Sequence, residues 1–217
     1  MNGERYYSAA QSRELDRLAS AEFGIPSFTL MQRAGAAAFA ALRRRWPRVR
    51  RLEICAGTGN NGGDGFIIGA LAVEAGLQAR IHLLGELARV QGTALEALDL
   101  ARARQVPVEA GITLSPDANT VVVDALLGTG LVGALRSPYR EAIAAINASA
   151  LPVLAVDSPS GLDSDSGAIL GDCVRADITV TFIARKLGLA RGEGPRMCGE
   201  VIFDSLDVPD ALYGRLP

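Results

Sequence analysis

The feature that most limits how this chain can fold is a set of apolar runs with no polar alternation. "TVVVDALLG", "LPVLAVDSPSG" and "DITVTFIA" leave no solvent-facing set at every second position. Such a strand is buried on both faces, which is the condition inside a parallel sheet covered by helices. "RLEICAG", "ARIHLLG" and "GEVIFDSLDV" read as further strands. Between strands lie helical stretches, "GFIIGALAVEAG", "GTALEALDLARARQ" and "SPYREAIAAINAS", the alternation expected of parallel crossovers. Two more helices come first. "SAAQSRELDRLASAEFG" has Ser8 as its N-cap and Gly24 as its stop, and "PSFTLMQRAGAAAFAALRRRWP" is ended by Pro47.

The expected fold is therefore α/β, a Rossmann-like, doubly wound, mostly parallel sheet with helices on both faces (three-layer αβα) and N-terminal helices. No repeat or linker divides the 217 residues. One domain over 1–217 is expected, with a helical part at 1–48 and the Rossmann-like core at 49–217. Net charge is −2, so no global basic field draws nucleic acid or anionic lipid. Cys55, Cys173 and Cys198 are odd in number and lack metal-ligand spacing, which suits a reducing compartment. The N-terminus has charges throughout and no apolar core of a secretory signal. A cytoplasmic protein is expected.

In an open parallel sheet, ligands bind beyond the carboxyl ends of the strands. Three loops there collect polar residues: Asn60, Asn61 and Asp64 in "GTGNNGGDG", Asp124 before "GTGLVGA", and Asp157 with Ser160 in "VDSPSG". Strand-end carboxylates in apolar surroundings cost free energy unless paired or bound to a cation. Gly57, Gly59 and Gly62 also spell G-x-G-x-x-G between a strand and a helix. A nicotinamide dehydrogenase wants an acid about 20 residues further on to grip a ribose, and Glu86 comes later than that. The loop physics stands without it, because N–H groups at a helix N-terminus bind phosphate.

Each of these residues has a plainer reading. Asp64 could cap the following helix, and Asn60 and Asn61 could be turn formers tolerating left-handed backbone. Asp124 and Asp157 could be structural acids. "DSDSG", Asp163 to Gly167, resembles a calcium loop but lacks that loop's glycine and closing glutamate, so a polar turn is expected. The basic run Arg43 to Arg51 reads as a helix C-terminus complementing its dipole, or as a contact for phosphate or an acidic partner. His82 is the only histidine and sits inside a strand, so a Ser-His-Asp hydrolase is not expected and a packed histidine is. Lys186, the only lysine, either reaches the edge of the site or is solvated.

With these loops in view, the sequence resembles the YjeF N-terminal domain family, the NAD(P)H-hydrate epimerases. "LMQRAG", "GTGNNGGDG", "DALLGTGL", "VDSPSGLDSDSG" and "ADITVTFIARKLGL" carry the resemblance over nearly the whole chain. It implies an isomerase that interconverts the R and S epimers of NADHX and NADPHX, cofactors hydrated at C6 of the nicotinamide ring. A separate ADP- or ATP-dependent dehydratase, specific for S, would then repair both. The resemblance further implies substrate contacts from Asn60, Asn61, Gly62, Gly63 and Asp64, and from Gly128, Thr129, Gly130, Leu131, Val132, Gly133 and Ala134. Asp157 would bind substrate and act as acid or base. A potassium ion would be held by Asn61, Asp124 and Ser160, and the protein would be a homodimer through its N-terminal helices.

Thr58, Gln32, Ser158 and the "SLDVP" ending depart from the family's usual residues, and Ser158 lies among the candidate site residues. The chain also ends where many bacterial relatives continue into a dehydratase domain. The rival reading is a non-catalytic binding or dimerisation module of the same fold, as in RNA-decapping relatives. It predicts lost loop residues, an appended RNA-binding module or a basic face, whereas Asn61, Asp124, Asp157 and Ser160 are all in place and the chain is mildly acidic.

Overall fold

The computed structural model describes residues 5–115, 117–130 and 133–216. β1 (Tyr6–Tyr7) leads into α1 (Ala9–Ala21) and α2 (Ser27–Arg45). The alternation then runs β2 (Arg51–Ala56), α3 (Asn60–Glu74), β3 (Gln78–Leu83), α4 (Gly92–Ala103), β4 (Val108–Ala110), β5 (Thr120–Ala125), α5 (Tyr139–Ala148) and β6 (Val153–Val156). After it come β7 (Ile178–Phe182), β8 (Arg185–Lys186), the short α6 (Gly194–Met197) and β9 (Glu200–Asp204).

The main sheet has seven strands in the order β4-β3-β2-β5-β6-β7-β9, every neighbouring pair parallel. The chain steps outward from β2 to β4, returns to β5 beside β2, and builds the other half. Its direction reverses between β2 and β5, where doubly wound folds open a crevice for ligands.

Both faces are covered, which accounts for the unbroken apolar runs. On one face Leu52, Ile54, Val121, Val123 and Leu154 share a core with the four helices α1 to α4. On the other, Cys55, Val122 and Val153 pack against Ile143 and Ile146 of α5. A fully buried side chain such as Ile54 contributes roughly 1.5–3 kcal/mol by leaving water. The α5 face also holds the expected packed histidine: His82 Nε2 lies 2.7 Å from Glu53 Oε2, both side chains 1% exposed. All three cysteines are buried and free.

The N-terminal segment is tied over the carboxyl edge of the sheet. Ser8 caps α1 in a reciprocal box with Gln11, its Oγ accepting from Gln11 N at 3.1 Å and its own N donating to Gln11 Oε1 at 3.0 Å. Leu15, Leu18 and Ala19 form the buried side of α1. β1 pairs in parallel with β8, Tyr6 opposite Arg185 and Tyr7 opposite Lys186, and Ala9 N donates to Asp165 Oδ1 at 2.7 Å. Arg43, Arg44 and Arg45 fill the last turn of α2, where positive charge complements the helix dipole. Two features escape a reading by apolar runs. β4 is a three-residue edge strand containing Glu109, and β1 and β8 have two residues each.

Candidate active site

The glycine loop is a point of backbone contact. A Cβ on Gly57 would stand 2.1 Å from Leu126 O, and one on Gly62 would stand 1.9 Å from Gly57 O. Only glycine lets the loops after β2 and β5 touch and α3 start so close to them. The first N–H groups of a helix have no intrahelical acceptor. In α3, Gly63 N makes the first such bond, to Gly59 O at 3.0 Å, so the unused donors belong to Asn60, Asn61 and Gly62. With the positive end of the helix dipole behind them, they suit a phosphate.

Above this edge lies a cavity of about 510 Å³, within the ~300–1,000 Å³ usual for small-ligand sites. Its walls come from the β2–α3 loop, the β5 loop, the end of β6, β8 and the N-terminal helix α1. Asn60, Asn61, Asp64, Gly128, Thr129, Gly130 and Asp157 line it. Gly62 and Gly63 are buried in the first turn of α3. Gly133 and Ala134 are exposed and are not among the residues that line it. Leu131 and Val132 lie outside the described residues.

Asp157 has a left-handed backbone, φ +67°, a strained conformation for a side-chain-bearing residue and one that gathers at functional sites. Its carboxylate Oδ1 accepts from Lys186 Nζ. Lys186 is 1% exposed and also donates to Thr181 Oγ1 at 3.0 Å and Phe182 O at 3.2 Å. Lys186 therefore reaches the site and is not solvated. Asp64 has its carboxyl pushed well above the usual range, by burial first and then by the charges of Asp157 and Asp16, with Lys186 opposing.

Asp124 and Ser160 are fully buried and joined to each other. Ser160 Oγ donates to Asp124 Oδ1 at 2.6 Å and Ser160 N to Oδ2 at 2.8 Å, while Leu126 N reaches Oδ1 at 3.3 Å. Burial pushes the Asp124 carboxyl up to about 6, and those hydrogen bonds pull against it. Asn61 has both amide atoms buried without a partner. It lies against Gly128, where an added Cβ would come within 3.4 Å of the Asn61 Cβ. A buried amide left unpaired costs about 1–3 kcal/mol, so this one is a ligand-seeking feature.

Several local expectations change. Asp64 does not cap α3: the cap is Gly59 and Asp64 is the fifth helical residue. Asn60 and Asn61 begin the helix and are not left-handed turn formers. Asp163 forms the polar turn, its Oδ1 accepting from Ser166 N at 2.7 Å and Ser166 Oγ at 2.6 Å. Two charged cavity residues went unforeseen, Arg13 and Asp16, both on α1. Arg13 Nη1 donates to Thr129 O at 3.0 Å. Their spacing of three residues puts them on one face of the helix. That polar face alone reads as a solvated one.

Fold and site together are those of a doubly wound α/β protein with a cavity at its switch point, set between the start of α3 and an acidic cluster. The chain belongs to the YjeF-related protein N-terminus family, which it matches over residues 27–188. It is similar to the bifunctional NAD(P)H-hydrate repair enzyme Nnr of Coxiella burnetii, 44% identical over 95% of this chain and 42% of that protein. It is also similar to the NAD(P)H-hydrate epimerase of Limosilactobacillus fermentum, 37% identical over 92% of this chain and 95% of that one. The chain thus spans about two fifths of the bifunctional relatives and nearly all of the shorter one. A yeast protein of known crystal structure shares the fold, with TM-score 0.84 at 20% identity over 97% of this chain and 93% of that one.

Proposed function

We propose that this chain is an NAD(P)H-hydrate epimerase, interconverting the R and S epimers of NADHX and NADPHX. The observation that carries the reading is the convergence on one cavity of a phosphate-receiving helix start and the Asp157–Lys186 pair. This occurs in a chain matching, over nearly its full length, a relative named for that activity. Epimerisation at C6 needs no net redox and no hydride acceptor. It needs a proton donor and acceptor beside the carbon whose hydroxyl changes face. Asp157 is assigned that task, with Lys186 holding it in place. The α3 start and the β5 loop through Gly130 hold the diphosphate.

A potassium ion fits the group formed by Asn61, Asp124 and Ser160. Among the described residues, Asn61 offers an amide oxygen with no other partner, Asp124 a buried carboxylate in no ion pair, and Ser160 a hydroxyl between the β5 and β6 loops. These are hard oxygen donors of the kind such cations take. These residues would hold potassium, which would supply the positive charge that keeps Asp124 ionised and would tie the three loops together.

The bifunctional relatives join two repair activities in one protein, as their name states. A separate S-specific dehydratase is accordingly the functional partner assigned here. No helix among the described residues is long and apolar enough to cross a membrane. We assign the protein to the cytoplasm, as a homodimer through the N-terminal helices. Light scattering at micromolar concentration returning the monomer mass would remove that last assignment.

The test is epimer equilibration. Purified R-NADHX is incubated with the protein in potassium buffer, and the epimers are resolved by chromatography against a protein-free control. Acceleration that disappears in Asp157→Asn is the expected result. A folded protein that accelerates neither NADHX nor NADPHX would be the binding module instead.

A further inference from the structure

The cavity holds more ionisable groups than one acid and its partner. Asp16, Asp64, Asp157 and Lys186 all line it, three carboxyls to one buried ammonium. The ammonium is taken by Asp157. Among the described residues, no hydrogen bond or ion pair engages the carboxyl of Asp16 or of Asp64. A cleft carboxyl with no protein partner is available to whatever enters the cleft.

Asp16 is held there by structure from outside its own helix. β1 pairs with β8, the strand that carries Lys186, and so sets the start of α1 beside that lysine. Ala9 N to Asp165 Oδ1 and Arg13 Nη1 to Thr129 O then fix the helix to the β6–β7 connection and to the β5 loop. Ser12, Leu15, Leu18 and Ala19 form the buried face of α1, and Asp16 at its edge lines the cavity together with Arg13. Asp157 enters the same cavity from the end of β6, a different wall.

We propose that Asp16 is the second proton-transfer group of this site, presented from α1 while Asp157 is presented from the sheet edge. The inference rests on the epimerase reading above. An inversion at C6 needs a proton handled on each side of the ring. In one direction the Asp16 carboxyl gives its proton to the C6 hydroxyl, the C6–O bond breaks, water leaves, and the N1 lone pair forms the C6=N1 double bond. Water then adds to the opposite face, a new C6–O bond forms, the electron pair returns to N1, and the extra proton passes to the Asp157 carboxylate. The reverse direction returns the proton to Asp16, and solvent in the open cavity resets the pair.

Desolvation in the cleft, more than the charges around it, moves Asp16 toward the protonated state. Burial by the cleft pushes its carboxyl up to about 6, Lys186 opposing and Asp157 adding. The side chain of Asp16 is open to the cavity water, which moderates that shift. The charged groups that face it are Lys186 from β8, Asp157 from the β6 end, Asp64 from α3 and Arg13 from its own helix.

The experiment measures epimer equilibration in potassium buffer from pH 5 to 9 for the wild-type chain, Asp16→Asn, Asp16→Glu and Asp64→Asn. Melting curves confirm that each is folded. General acid–base catalysis is worth about 10²–10⁴-fold. The expected result is a fall in kcat of about 100-fold or more in Asp16→Asn, with KM changed little. Asp16→Glu recovers part of the loss. The alkaline limb of the wild-type profile, where the acid is ionised, is absent from Asp16→Asn, which a purely structural role would not produce. An active wild type with an unchanged kcat and profile in Asp16→Asn overturns the proposal alone. So does loss confined to Asp64→Asn, which would hand the role to that residue. A wild-type chain with no acceleration overturns the epimerase reading and this proposal with it.

Discussion

Replacing Lys186 by methionine tests the centre of the site through stability alone. The lysine side chain is 2% exposed and that of Asp157 is 17% exposed. Methionine keeps much of the apolar stem and deletes the ammonium, so Asp157 loses its counter-charge. What remains to it are hydrogen bonds of 3.4 Å from Thr181 Oγ1 and from Phe182 N. Breaking a buried pair from one side costs about 3–5 kcal/mol, because the survivor is an uncompensated charge. The partial exposure of Asp157 lets water return to it, which lowers the expected loss to about 2–3 kcal/mol. For a domain of this size each kcal/mol is worth about 2–4 °C, so the midpoint falls by roughly 4–12 °C.

The decisive comparison is with the double variant, because removing both partners leaves no orphan charge and can be nearly neutral. Asparagine tolerates the left-handed backbone at position 157. Asp157→Asn with Lys186→Met is therefore expected to be more stable than Lys186→Met alone by about 1.5–2 kcal/mol. Urea unfolding followed by circular dichroism at pH 7.5 in potassium buffer, on all four members of the cycle, supplies the numbers. A coupling energy below about 0.5 kcal/mol would refute the reasoning. Lys186 would then be held by Thr181 and Phe182, with Asp157 incidental.

Gly62→Ala drives a Cβ against Gly57 O, 1.9 Å away, whereas Gly59 has nothing within 4 Å. Thermal melts should show a loss of about 2–3 kcal/mol for the first and within about 0.5 kcal/mol for Gly59→Ala; equal losses would contradict the contact. Asn61→Ala removes an amide that has no partner, so potassium-free stability should change by no more than about 1 kcal/mol. The extra stability conferred by potassium should shrink in that variant, and its full survival would take Asn61 out of the cation site. Asp124 has a folded value of about 6 against an ordinary 3.8. Its stabilising contribution is therefore complete below 3.8 and lost as pH rises through about 6, at most about 3 kcal/mol, and Asp64, also raised, acts in the same direction. Urea stability in tetramethylammonium buffer should fall from pH 5 to pH 8, and potassium should reduce the fall; identical slopes in both salts would refute the assignment.

The sheet could be read from the sequence because its strands are buried on both faces and carry that fact as uninterrupted apolar runs. The loops were readable for a related reason. Glycines at 57 and 62 and the polar residues after Ala56, Val123 and Val156 mark strand ends, and one rule of topology brings those ends together. What was not readable depends on contacts between distant pieces. Nothing local distinguishes Tyr6 and Tyr7 as a strand, since a two-residue strand has no period. The role of Lys186 follows from burial against Asp157, which the sequence separates by 29 positions.

Asp16 and Arg13 show the limit most clearly. On α1 they occupy the polar stripe that helical periodicity assigns to solvent, and for an isolated helix that assignment is correct. The stripe becomes a cavity wall only because β1 is joined to β8 and Ala9 to Asp165, so one element's outside is another's inside. The residues matched to the family begin at 27, yet the cavity is incomplete without residues 13 and 16. The segment before α2 is therefore part of the site and not an appendage to it. Any change that frees α1 from β8 should act on the chemistry before it acts on the core, because Leu52, Ile54 and their neighbours remain covered by α2, α3 and α4.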